Sequence, residues 1–254
     1  MKTPVSLISL VSLLLVFTSC KEDVKETLQK KVEVSLSLET GDDPAPLNDT
    51  IDFSADYRMY LTSFKAYLSN ITLIAADGTE TLLEDVALFS LHKEESSRIS
   101  MDLPQGNFTK IRVGVGLNPE QNNSDPNSFS NNNHPLAAYQ GMYWTMTKYR
   151  FVVFEGFALS KRDTTIIPFA YHTGTDPVYQ EITFDTDINS TGSPLAYRLH
   201  FDIDINTIFD GPAGKIDIPT QSFTHSEGPN LAVAVTFMEN LKSAIHLQTS
   251  ASLD

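Results

Sequence analysis

The chain has 254 residues, 41% of them hydrophobic and 10% aromatic, and its 18 basic and 32 acidic side chains leave a formal net charge of −14. Such a balance argues against a phosphate-binding surface and so against nucleic acid as a partner. Cys20 is the single cysteine, which excludes a disulfide framework, a zinc ribbon and a thiol nucleophile elsewhere in the chain.

In chain order, a basic start at Lys2, an apolar run from Val5 to Phe17 and the small residues Thr18 and Ser19 precede Cys20. These features read as a secretory signal peptide over residues 1–20, too short to be a stable membrane span. A cysteine at the cut site resembles a bacterial lipobox, which implies a thiol carrying diacylglycerol and cleavage that leaves Cys20 as the new terminus. The expected product is an outer membrane lipoprotein held to the membrane by its lipid anchor. Lys21, Glu22 and Asp23 resemble the tract that sends some Gram-negative lipoproteins to the cell surface, so both periplasmic and cell-surface facing placements stay open. Residues 21–30 read as a linker. The remainder, about 235 residues beyond the anchor, is long enough for one all-β domain with its own core, expected over residues 31–250.

Lys31 to Leu38 alternates as KVEVSLSL, the period of a half-buried strand, and ends in the turn-rich GDDPAPLND. Tyr60 to Ala75 reads as a second strand, turning at Asp77-Gly78 into a return partner over Glu80 to Leu91. Lys110 to Leu117 is another alternating strand whose glycines indicate close backbone approach or a bulge. Asn118 to Asn133 is polar and Asn-rich, a loop length that is either functional or disordered. Tyr149 to Leu159, Thr165 to Tyr171, Tyr179 to Phe184 and Leu195 to Ile205 read as strands. On the last of these, His200, Asp202, Asp204 and Asn206 share a face expected to be solvated. A helix is expected over Leu231 to Ser243, after Gly228-Pro229. The fold class that follows is mainly β, a single-domain antiparallel β-sandwich with a short C-terminal helix.

No GxSxG, P-loop or dinucleotide fingerprint is present, and no acid/base pair stands out, so enzymatic turnover is not expected. The spacing of Asp202, Asp204 and Asn206 lacks the glycine and the closing glutamate of a calcium loop. Of six histidines, His92 sits in a polar turn, His200 on the polar face and His246 in the tail, all read as surface positions. His134 is restricted to extended backbone by Pro135. His172 follows the apolar strand IIPFAY, and His225 lies in the loop before the helix. Loop and strand-end positions are where sites are usually grafted, yet no HxH or HxxxH pair makes these three a metal set by spacing.

The segment HPLAAYQGMYWTMTKYRFVVFEG, His134 to Gly156, carries the resemblance that sharpens this. Its His134-Pro135-Leu136, Gly141-Met142-Tyr143-Trp144, Tyr149 and Glu155-Gly156 resemble the signature of the MbnP-like family of exported copper-binding proteins. Phe169 with His172-Thr173-Gly174, the stretch HFDIDINTIFDG and the His225 loop extend that resemblance over most of the chain after Val32. It implies copper, in that family Cu(I) held by imidazoles, with His134 and His172 as the first two ligands, His225 as a third ligand or a group supporting them, and Met142 or Met146 as thioether donors. In some members a tryptophan oxidised to kynurenine by a diheme peroxidase partner also binds the metal. Met146 stands where the family has the second aromatic of a Trp-x-Trp pair, and Lys148 replaces a glycine. Oxidation at the first position would fall on Trp144; oxidation at the second has no substrate here.

The resemblance thus implies an envelope lipoprotein that binds copper for acquisition, storage or transfer. The rival reading is a surface β-sandwich lipoprotein that binds glycan or a partner protein without metal. On that reading Met142, Tyr143, Trp144 and Tyr149 are rings and thioether packed beside a strand.

Overall fold

The computed structural model describes residues 30–92, 94–145, 147–192, 194 and 196–252. The signal peptide, Cys20 and Met146 lie outside the described residues. The principal elements are β1 (Lys31–Thr40), β2 (Tyr57–Ala75), β3 (Glu80–Ser90), β4 (Arg98–Asp102), β5 (Asn107–Val115), β6 (Lys148–Ser160), β7 (Ile166–Gly174), β8 (Gln180–Asn189), β9 (Ala196–Asp204), α1 (Ile205–Phe209), α2 (Leu231–Ala244) and β10 (Ile245–Ser252).

Two sheets share the core. The first runs β10-β9-β1, with β4 on the far side of β1. In β1 the alternation does what it promises: Val32, Val34, Leu36 and Leu38 are buried and the residues between them are not. The second runs β8-β5-β2-β6-β7 and ends on the short pair Phe223–Thr224, while β3 also pairs with β2. The 19-residue β2 organises this sheet, pairing with β6 through Ala66 and with β5 from Leu68 onward. Phe184 and Phe201 meet across the two sheets at 5.5 Å. The sheets are largely antiparallel, with two parallel pairings among the described residues, β1 with β9 and β7 with Phe223–Thr224.

The aromatic centre lies between the second sheet and the helices. Phe154 of β6 packs on Phe64, Phe169, Phe209 and Phe237, and Tyr171 stacks on Phe237 of α2 at 5.2 Å. Asn240, fully buried on α2, accepts from the Ala213 amide and donates to the carbonyls of Ile208 and Gly214. It ties the 210–215 turn to both helices. Asn240→Ala strands these buried backbone groups and should cost about 3 kcal/mol, read as a lower urea midpoint with an unchanged slope; a midpoint within error of wild type would refute it. Among the described residues no helix is long and apolar enough to cross a membrane.

Several expectations change. The strand expected through Ile205 ends at Asp204, because both of its carboxylate oxygens cap the first turn of α1 through Asn206 N–H and Thr207 N–H. The solvated polar face is instead a bonded ladder. Asp202 is buried, accepting from Ser37 and Gln248, and His200 lies between Ser35, Ser37 and Asp202. His246 belongs to β10, paired with Asp202 across the sheet, not to a frayed tail. The Asn-rich loop contains a helical turn, Pro119–Asn122, closed by a reciprocal cap between Asn118 and Gln121. Gln121 and Asn122 are buried and bonded to Asp85 and Asp176.

Candidate functional site

The long segment from His134 to Gly156 is fixed from beneath by buried tyrosines. Tyr67 donates to the Pro135 carbonyl at 2.9 Å and Tyr149 to the Leu136 carbonyl at 2.7 Å. Their rings meet edge to face at 6.1 Å. Burial pushes both phenols up, the Tyr67 one furthest, so they serve as neutral donors. The chain then turns back on itself: Tyr143–Trp144 pairs with Lys148–Tyr149 at the start of β6, a tight reversal that uses a left-handed Lys148 at φ 62°. Trp144 is thereby laid beside the outer face of β6 and β7.

Strand periodicity decides which side chains meet there. Phe154 and Tyr171 are register partners facing the core, so their neighbours Glu155 and His172 emerge on the opposite face. Phe223–Thr224 adds a parallel rung beside Ala170 and Tyr171. Continued by one residue, that register sets His225 next to His172. The rung is held by Ser226, which takes a left-handed φ of 58° and accepts the Gly174 amide at 2.9 Å, and by Thr224, which donates to the Asn230 carbonyl.

The resulting group is compact. The imidazoles of His172 and His225 are 5.2 Å apart between ring centres, and the Trp144 indole stands edge-on to both, at 6.2 Å and 4.7 Å. Phe223, 52% exposed, flanks His225 at 6.1 Å. His172 Nε2 is 2.6 Å from Glu155 Oε1. Burial holds the His172 imidazole below its usual range; the Glu155 bond opposes this, while Arg150 and His225 add to it. A lowered pKa favours the neutral ring, the form that can donate a lone pair to a metal. His172 Nδ1 and His225 Nδ1 are both buried and carry no hydrogen bond among the described residues. Buried polar atoms are nearly always partnered, so two orphaned nitrogens in adjacent rings point to something that binds them.

The structure brings together His172, His225 and Trp144 from the expected residues and leaves His134 and Met142 elsewhere, while Met146 and Cys20 lie outside the described residues. His134 makes no ring contact with either histidine among the described residues. Its ring stacks on Phe129 at 4.0 Å, and its Nδ1 accepts the Leu136 amide at 3.1 Å, so one of its nitrogens is spent on shaping the turn. Met142 is buried in the hydrophobic core. His172 lies inside β7 rather than at its end, since the strand continues to Gly174. Glu155 was visible in the sequence as a motif residue, but only the register shows that it meets His172 diagonally. His92 is bonded to Ser63, the β2 residue paired with Glu155, and makes no ring contact with His172 or His225 among the described residues.

Among the described residues, no set of three His, Cys, Asp or Glu side chains is gathered around one point. The group is therefore two nitrogen donors, an indole and a carboxylate bonded to one of the donors.

The sequence pattern of the family described as MbnP matches residues 29–229. Among solved structures, the chain is similar to one titled MbnP from Methylosinus trichosporium, with a TM-score of 0.58, 14% identity, and coverage of 88% of this chain and 99% of that one. At that identity the likeness speaks for the fold. No curated protein matches the chain.

Proposed function

The chain belongs to the MbnP family, and from that premise we propose that it is an envelope lipoprotein that binds copper as Cu(I), for acquisition, storage or transfer, with no turnover of its own. One observation carries the reading: the two buried, unbonded Nδ1 atoms of His172 and His225 in rings 5.2 Å apart. Each would cost free energy by desolvation if left unpaired, and a single cation held by both relieves the two at once.

The donor set supports copper over the commoner alternatives. Structural zinc takes four ligands, and catalytic zinc takes three with a water; calcium and magnesium want oxygen. Two imidazoles with an aromatic flank suit a soft cation of low coordination, and imidazole is a favoured copper ligand. Trp144, edge-on to both rings, is the residue whose oxidation to kynurenine by a diheme peroxidase partner would add a donor beside them. The lipid on Cys20 would keep the domain at the outer membrane, facing either the periplasm or the exterior.

The test is anaerobic Cu(I) titration, against a chromophoric chelator, of the chain lacking residues 1–20, which keeps every described element. One Cu(I) per chain is expected, with X-ray absorption reporting nitrogen neighbours at about 2 Å. A chain that surrenders all its Cu(I) to the chelator overturns the reading. Mass analysis of the Trp144 peptide after expression with and without a diheme peroxidase tests the oxidation.

A further inference from the structure

His172 and His225 are not equivalent. His172 is bonded at Nε2 to the Glu155 carboxylate at 2.6 Å, whereas no carboxylate is bonded to His225 among the described residues. A carboxylate can only accept, so a bond between it and a neutral imidazole requires the ring proton to sit on Nε2. The other nitrogen, Nδ1, is then a bare lone pair, and it is this atom that is buried without a partner.

We propose that Glu155 is a positioning residue that locks His172 as the Nε2–H tautomer and so presets Nδ1 as the metal-binding nitrogen. This rests on the copper reading above. The backbone supplies the geometry. Glu155 is paired with Ala170, and His172 with Val153, so the two side chains are diagonal neighbours on one face of an antiparallel pair, within reach for long side chains. Both strands are interior to the sheet at this point, with Glu155 also paired to Ser63 of β2. The pairing on both sides therefore fixes the backbone positions from which the two side chains meet. The side chain of His172 is 12% exposed against 37% for Glu155, so the bond anchors a covered ring to a partner that stays in contact with solvent. The carboxylate also increases the electron density on the ring, which strengthens Nδ1 as a donor, as outer partners of ligating histidines generally do. His225 carries no such carboxylate bond among the described residues; its ring is flanked instead by Trp144 and Phe223.

The tautomer can be read without any metal. In the metal-free chain lacking residues 1–20, ¹⁵N-histidine NMR of long-range couplings should show His172 as Nε2–H. In Glu155→Ala the same ring should become a tautomer mixture while the His225 signals stay as they were. Cu(I) affinity should fall roughly 10- to 100-fold, with one site per chain retained and an unchanged far-UV spectrum. Glu155→Gln, which keeps an acceptor oxygen without the charge, should restore part of the tautomer bias. A wild-type His172 found as Nδ1–H overturns the proposal, as does a Glu155→Ala chain with wild-type tautomer and affinity. A wild-type chain that shows the Nε2–H ring but takes no Cu(I) overturns the copper reading and the metal half of this one, leaving the Glu155 lock on the ring intact.

Discussion

Replacing His172 and His225 together by alanine should reduce Cu(I) uptake to background, while His134→Ala leaves it at the wild-type level. On the proposed reading, either single replacement removes one of two nitrogen donors. Each should weaken binding by more than the roughly 10–100-fold expected for loss of an outer partner. The contrast with His134 follows from how its atoms are used. Nδ1 accepts the Leu136 amide and the ring stacks on Phe129 at 12° between planes, so the side chain shapes the His134-Pro135-Leu136 turn and is not part of the His172–His225 pair. Loss of that bond should cost about 1 kcal/mol of stability, small enough that the folded chain can still be titrated. Chelator competition on the three variants decides the matter. Uptake lost in His134→Ala and kept in the double variant would reverse the ligand assignment.

The comparison of His134 with His225 shows how far the sequence could be read. Period-two alternation in KVEVSLSL and in the strand before Asp204 gave the buried faces of β1 and β9 directly. The helix after Gly228-Pro229 was likewise visible and begins at Leu231. The motif segment singled out Trp144, which does sit with two histidines. What sequence could not supply was register. His225 joins His172 because Phe223–Thr224 adds a parallel rung to the edge of β7, and nothing local in FTHSEGP announces a rung. Glu155 meets His172 because their strands pair with one particular offset; a slip by one residue would turn one of them to the core. His134 was singled out because a His-Pro at the end of a polar loop resembles a grafted position, but the same backbone restriction also serves a structural turn. The polar face of β9 misled for a related reason: alternation marks which residues leave the core, not whether neighbouring strands then bury them with hydrogen-bond partners, as Ser37 and Gln248 bury Asp202.

Gly156→Ala should lower stability by about 3 kcal/mol, more than a surface change and toward the upper end of overpacking. At this chain length that is a fall in Tm of roughly 6–12 °C. Gly156 is buried between two strands, paired with Leu61 of β2 and Phe169 of β7. β2 bulges between Leu61 and Ser63, directly against this position. An added residue in one strand presses its backbone toward the partner, and a glycine is what such an approach admits. A Cβ at Gly156 would stand 2.4 Å from the Tyr60 carbonyl oxygen and 2.7 Å from the Phe169 ring. The oxygen is backbone within a sheet and the ring is packed on Phe154, so neither neighbour can give way without moving a strand or the aromatic core. Relief must come from β6, which also carries Glu155. The same substitution should therefore shift the Glu155 carboxylate relative to His172 and disturb the Nε2–H tautomer in the metal-free protein, linking stability and site through one glycine. Thermal unfolding and the His172 NMR signals measure the two halves separately. A variant with wild-type Tm would show that β2 absorbs the methyl group, and a lowered Tm with an undisturbed His172 ring would show that the Glu155 contact is rebuilt after the strand moves.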